Sequence, residues 1–261
     1  MNVIKFFLLS ISAIGAALGC SCQTLENLQP VENPEVVLKD IMSLLTYQQN
    51  CMHFSEDFSA FDKAGNPITK ETFFRNFSEG YCLPLRIASK GKTPRYQLYP
   101  VPKTTNKDIV TTLQGWGMLG YKNYKMEGMR LPGFFFRDIH GTIYDTETTK
   151  HKIVVIKCWY LACQACRQEI PELNKLAKKY QDRKDIVFIS LAFDSKEQLE
   201  KFSADNVFLY ALVPAQKKYL LDELKIAEYP THLVINKQGL IFKVLTGPGE
   251  VVSILDKIAA Q

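Results

Sequence analysis

Cys163 and Cys166 stand two residues apart in the motif Cys163-Gln164-Ala165-Cys166. Two intervening residues on the first turn of a helix bring the sulfurs within disulfide reach. A thiolate at a helix N-terminus meets free backbone N–H groups and the positive end of the helix dipole, which lowers its pKa from about 8.5 toward roughly 3.5–7.5. The chemistry of this spacing is thiol–disulfide exchange. Cys163, the N-terminal and more exposed member, is the expected nucleophile, and Cys166, one turn further in, the resolving thiol. A structural zinc site needs four ligands, yet there is no second CxxC, and the four histidines are scattered at 53, 140, 151 and 232. A purely structural disulfide across two residues closes almost no loop and stabilises little.

The elements that must position this pair are legible around it. Ile153-Val154-Val155-Ile156 is a continuous apolar run, which suits a strand buried on both faces over 152–159. A helix is predicted over 163–180, with Pro171 kinking it. Upstream, 134–139, a turn at Gly141 and 143–144 predict a hairpin. Downstream, strands are predicted over 185–193, 210–213, 232–236 and 240–245, the last two around Lys237-Gln238-Gly239. Helices are predicted over 196–202 after a Ser195 cap, over 216–224 and over 249–260. Strands alternating with helices imply an α/β sheet covered on both faces.

The chain has 261 residues, 46% hydrophobic and 23% charged, with net charge +5 and no basic block. That excludes a disordered or collagen-like chain and makes nucleic acid a poor partner. Residues 1–19 read as a signal segment: Lys5 precedes an apolar run at 6–18 that is too short to span a bilayer, which takes about 20 residues. The run ends Ala17-Leu18-Gly19-Cys20, which resembles the bacterial lipobox and makes Cys20 the expected lipidation site. Residues 20–34 read as a tether. Residues 35–127 read as a small α+β domain of unknown role. In it a helix is predicted over 36–47 after an Asn33 cap and another from a Thr69 cap to 77. Strands are predicted over 57–61, 81–88 and 96–101. A short helix over 106–113 follows, after which Gly115, Gly117, Gly120 and Gly128 loosen the chain toward a boundary near 128. Cys51 and Cys82 are candidates for a structural disulfide outside the cytoplasm.

The segment 152–180, KIVVIKCWYLACQACRQEIPELNKLAKKY, resembles the active-site segment of membrane-anchored thioredoxin-like proteins of the TlpA and ResA type. The upstream LPGFFFRDIHGTIYD resembles their opening hairpin, and AEYPTHLVINKQGLIFKVLTG their proline-containing strand and hairpin. Trp159, Glu169, Pro171, Pro230 and Gly239 fall on matching positions, and the likeness covers about 130–261, within a domain expected over 128–261. It implies a thioredoxin-like fold, a central mixed sheet with helices on both faces. It also implies a cis bond at Tyr229-Pro230, with Pro230 positioning substrate. Glu169, six residues after Cys163, is a candidate proton acceptor for Cys166; its alternative is a solvated helix carboxylate. Protein dithiols or disulfides would be the substrates, an upstream thiol the electron donor, and the N-terminal lipid the membrane contact, with no cofactor, in the bacterial cell envelope facing the periplasm. Gln164-Ala165 contains no histidine to stabilise the thiolate, which favours a reductant. The chain departs from the family at Ala162, where Trp is usual, and at Lys157 and Cys158 on the strand. Two other readings are a peroxiredoxin-like peroxidase, which wants a Thr where Tyr160 stands, and a copper-delivery protein using Cys163, Cys166 and His232.

Overall fold

The computed structural model of the protein describes residues 28–89, 91 and 93–260. The expected signal segment, Cys20 and the start of the tether lie outside the described residues. The tether predicted to run to 34 is part of the fold by Gln29, because Gln29 O accepts from Ala88 N and Val31 N donates to Arg86 O.

The single helix predicted over 36–47 is two. Helix α1 (Pro34–Val37) is capped by Asn33, and α2 (Ile41–Cys51) starts afresh because the Asp40 carboxylate accepts from Ser43 N. Strands β1 (Ser59–Phe61) and β2 (Pro67–Ile68) follow, then α3 (Lys70–Ser78), capped by Thr69 as its sequence predicts. Strands β3 (Cys82–Arg86) and β4 (Arg95–Pro100) complete a sheet ordered β2-β1-β4-β3, with only β1 and β4 parallel. Its core is aromatic, with Phe73, Phe77 and Tyr96 wholly buried. Tyr47 Oη donates to Pro84 O and accepts from Arg86 N, tying α2 to β3.

Helix α4 (Lys107–Met126) corrects the short helix and loose glycine stretch. It runs unbroken through Gly115, Gly117 and Gly120. A Cβ on Gly117 would lie 2.4 Å from Phe77 O, and one on Gly120 3.0 Å from the Phe74 ring. Two of these glycines are therefore where α3 and α4 meet most closely. After α4, Gly128 N donates to Ile241 O and Ile241 N to Met129 O. The chain thus enters its second half already paired to it.

That half opens with the hairpin β5 (Phe135–Arg137) and β6 (Ile143–Asp145), then β7 (Ile153–Trp159), every residue of which is buried. Helices α5 (Gln164–Gln168) and α6 (Ile170–Lys179) replace the one helix predicted, breaking at Glu169 just before Pro171. Strand β8 (Ile186–Ala192), α7 (Lys196–Asp205) with its Ser195–Gln198 capping box, and β9 (Ala211–Val213) come next. A π-helical turn at Tyr219–Glu223 stands in for most of the helix predicted over 216–224. Strands β10 (Thr231–Ile235) and β11 (Ile241–Leu245) and helix α8 (Pro248–Ala259) close the chain. The five-stranded sheet is ordered β11-β10-β7-β8-β9, with β7, β8 and β9 parallel and β10 antiparallel to both neighbours. One face packs Ile153 and Val155 on Leu173, Leu176, Val251 and Ile254 of α6 and α8. The other packs Val154, Ile156 and Cys158 on Phe136, Leu220 and Ile226. This mixed sheet with helices on both faces is the thioredoxin-like arrangement expected of 128–261.

Candidate active site

The central strand β7 carries the chain to the site. Its last residue, Trp159, is buried edge-on against Phe202 and Phe208. The Asp194 carboxylate accepts from Leu161 N at 2.7 Å and steadies the turn that follows. Cys163 is the N-cap of α5: its Sγ lies 3.2 Å from Cys166 N, and its own N–H donates to Tyr160 O. The two cysteines form a disulfide. Cys163 is 7% exposed and Cys166 wholly covered, the order expected of attacking and resolving sulfurs. The Tyr229–Pro230 peptide is cis, and Tyr229 packs with Tyr160 against the cluster that holds both cysteines.

Behind Cys166 lies a buried charge cluster. Glu169 is the residue at the break between α5 and α6, three positions after Cys166, and so occupies the same helix face one turn on. It is 8% exposed, which overturns the solvated alternative. Lys157 and His232 face each other across β7 and β10, and both are fully buried. Lys157 Nζ donates to Glu169 Oε1. His232 Nε2 lies 3.0 Å from the same oxygen, off the line of a well-formed hydrogen bond, so the contact is electrostatic. His232 Nδ1 has no hydrogen-bond partner among the described residues.

Burial pulls the Lys157 ammonium below its ordinary value, against the attraction of Glu169. Burial also pushes the Glu169 carboxyl up, but His232 and Lys157 together outweigh it and hold the group below the usual carboxylate range. Burial pulls His232 below its ordinary value, against the opposing pull of Glu169. The buried carboxylate thus meets both Lys157 and His232 inside the core, and such pairing is what makes a buried charge tolerable.

Other sequence candidates fall elsewhere. Cys158 faces the opposite side of the sheet, and burial pushes its thiol up to about 12, leaving it an inert apolar group. Cys51 and Cys82 are free thiols. Cys51 O accepts from Tyr96 Oη, and Tyr96 pairs with Arg86 at the far end of β3 from Cys82. Four residues of strand span about 13 Å, beyond disulfide reach. Among the described residues no group of three or more His, Cys, Asp and Glu gathers as a metal site. Sequence reasoning missed the partnership of Lys157 with Glu169 and His232. The signal was available: a lysine inside the apolar run of a strand needs a buried acid, and Glu169 is the acid nearest the motif.

A five-stranded mixed sheet whose central strand ends in a CxxC disulfide beside a cis-proline defines a thioredoxin-like redox domain. Residues 127–244 match the AhpC/TSA family. A thioredoxin-like protein, YneN, of Bacillus subtilis (strain 168) is 28% identical over 141 residues, 51% of this chain and 81% of that protein. The thiol-disulfide oxidoreductase ResA of Geobacillus thermodenitrificans (strain NG80-2) is 24% identical over 145 residues, 53% of this chain and 83% of that protein. Among solved structures, the thioredoxin domain of a thiol-disulfide oxidoreductase from Bacteroides vulgatus has a TM-score of 0.46 at 22% identity, covering 50% of this chain and 96% of that one.

Proposed function

We propose that this protein is an extracytoplasmic thiol-disulfide oxidoreductase that reduces disulfides of other proteins through Cys163 and Cys166. The observation that carries the reading is the Cys163–Cys166 pair at a helix start, with an ionised carboxylate one turn behind it. In the reduced protein the Cys163 thiolate attacks one sulfur of the substrate disulfide. A mixed disulfide forms, and the displaced substrate thiolate takes up a proton. Cys166 then gives its proton to Glu169, and the Cys166 thiolate attacks Cys163 Sγ. The Cys163–Cys166 disulfide forms, and the second substrate thiolate leaves and takes the proton from Glu169. The substrate gains two electrons from the protein dithiol and two protons, one from Cys166 through Glu169 and one from solvent, to which Cys163 gave its proton on ionising. An upstream dithiol donor returns the protein to its reduced form. Pro230 positions the substrate segment, and acylated Cys20 holds the protein at the envelope membrane. The likeness to ResA and YneN and the order of exposure of the two sulfurs support this reading.

The test is a pair of serine variants. Cys166→Ser should accumulate a mixed disulfide between Cys163 and its partner, seen on a non-reducing gel, because the second attack is lost. Cys163→Ser should lose insulin reduction and trap nothing. Adducts accumulating through Cys166 in Cys163→Ser would reverse the assignment. The AhpC/TSA match keeps peroxidase chemistry as the second reading. Peroxide consumption that outpaces insulin reduction would favour it, although Tyr160 stands where that chemistry wants Thr.

A further inference from the structure

Three aromatic rings stand together beside Cys163, and the exchange steps above do not use them. Tyr160 directly follows β7, Phe193 follows β8, and Tyr229 precedes the cis-proline. All three are partly exposed. Tyr160 and Phe193 stack at 5.3 Å with their planes 11° apart, and Tyr229 meets both edge-on, at 5.6 and 5.0 Å. The group is anchored: Tyr229 Oη donates to Ile226 O at 2.8 Å, Phe193 N donates to Trp159 O, and Tyr160 O accepts from Cys163 N. The rings are thus a preformed apolar surface tied by one hydrogen bond to the residue that carries the attacking sulfur. The exposed residues next to Cys163 in the chain, Ala162, Gln164 and Ala165, offer no large apolar face.

We propose that Tyr160, Phe193 and Tyr229 determine specificity, favouring polypeptide disulfides in which an aromatic or large aliphatic side chain lies within a residue or two of the attacked cysteine. A substrate must bring its sulfur to Cys163, so the side chains flanking that sulfur are carried across this surface. An apolar side chain there gains contact with rings already held in place, losing none of their freedom on binding. A glycine or a charged side chain gains little. Lys217, with Nζ 5.7 Å from the Phe193 ring centroid, borders the surface and places a cation at its rim.

This inference rests on the thiol-disulfide exchange proposed above, and the experiment separates the two. Two synthetic peptides carry the same disulfide-closed loop and differ in one residue beside the attacked cysteine, Phe in one and Gly in the other. The full chain reduces each, and the ratio of the two kcat/KM values is divided by the ratio at which dithiothreitol reduces them, which removes their intrinsic difference. A ratio of two rates on one preparation does not depend on the fraction of protein that is folded. The wild-type ratio should favour the Phe peptide by about 2- to 10-fold. Phe193→Ala combined with Tyr160→Ala should bring it close to one, while Phe193→Leu should retain part of it. A wild-type ratio of one, or a preference undiminished in the double variant, would overturn the assignment of the rings and leave exchange standing. Failure of the wild type to reduce either peptide would overturn the exchange reading and this inference with it.

Discussion

A lysine in the middle of an apolar strand is costly unless its charge is met, and Lys157 is met by Glu169 within the core. Removing one partner of such a pair strands the other. Glu169→Gln should therefore destabilise the protein by about 3–5 kcal/mol in denaturant unfolding at pH 7. Replacing both, Lys157→Met with Glu169→Leu, should recover most of that loss, since an apolar pair of similar volume carries no desolvation cost. A double variant as unstable as the single one would show that the pair acts through packing and not charge. The acid side has a defined sign. The folded state holds the Glu169 carboxyl below its reference value of 4.5, so the stability it contributes is complete above that pH and is lost as the pH falls through the lower folded value. The Glu169→Gln protein should accordingly lose less stability than wild type between pH 4.5 and pH 2.

At the scale of elements, the meeting of α3 and α4 shows how glycine can mark contact rather than looseness. Ala is the better helix former by about 1 kcal/mol. At Gly117 that gain is opposed by a Cβ placed 2.4 Å from Phe77 O and 2.6 Å from Ser78 N, which only separation of the helices relieves. Gly117→Ala should lower stability by about 1–3 kcal/mol. Gly115, on the same helix, has nothing within 4 Å of its Cβ position, so Gly115→Ala should hold or raise the thermal midpoint. Equal effects of the two substitutions would mean that α3 and α4 do not meet at Gly117.

At the scale of the whole molecule, the two halves keep separate sheets and separate cores but share the junction after α4. Lys243 on β11 pairs with Glu127 at 2.7 Å, and burial pushes the Glu127 carboxyl up against the pull of that lysine. We propose that residues 128–261 fold without the first half, since their sheet is complete within them. Expressed alone, they should melt cooperatively, with a lower midpoint than the full chain because Lys243 loses its partner. A non-cooperative melt would mean that the first half supplies part of the core. Anchoring is tested separately: Cys20→Ala should release the protein from membranes, and continued binding with unchanged mass would reject lipidation at that residue.

What the residues determine alone is mostly local chemistry. A buried apolar run, Cys163-Gln164-Ala165-Cys166 and an adjacent helix place a reactive pair at a strand–helix turn, since period, capping and dipole act within a few residues of chain. The same holds for the hairpin at Gly141, the Thr69 and Ser195 caps and the break near Pro171. What tertiary structure decides depends on partners far apart in the chain. Gly117 reads as a helix breaker until Phe77, 40 residues earlier, is packed against it. In the sequence Lys157 is only a departure from the family, Glu169 a proton acceptor or a solvated acid, and His232 a candidate copper ligand; strand register then sets His232 opposite Lys157, and Glu169 is buried at the α5–α6 break. Tyr160, Phe193 and Tyr229 come from the ends of three separate segments and become one surface only when the sheet aligns them. Local rules write the reactive motif, whereas its charge environment and its contact surface exist only once long-range packing has removed those groups from water and set them side by side.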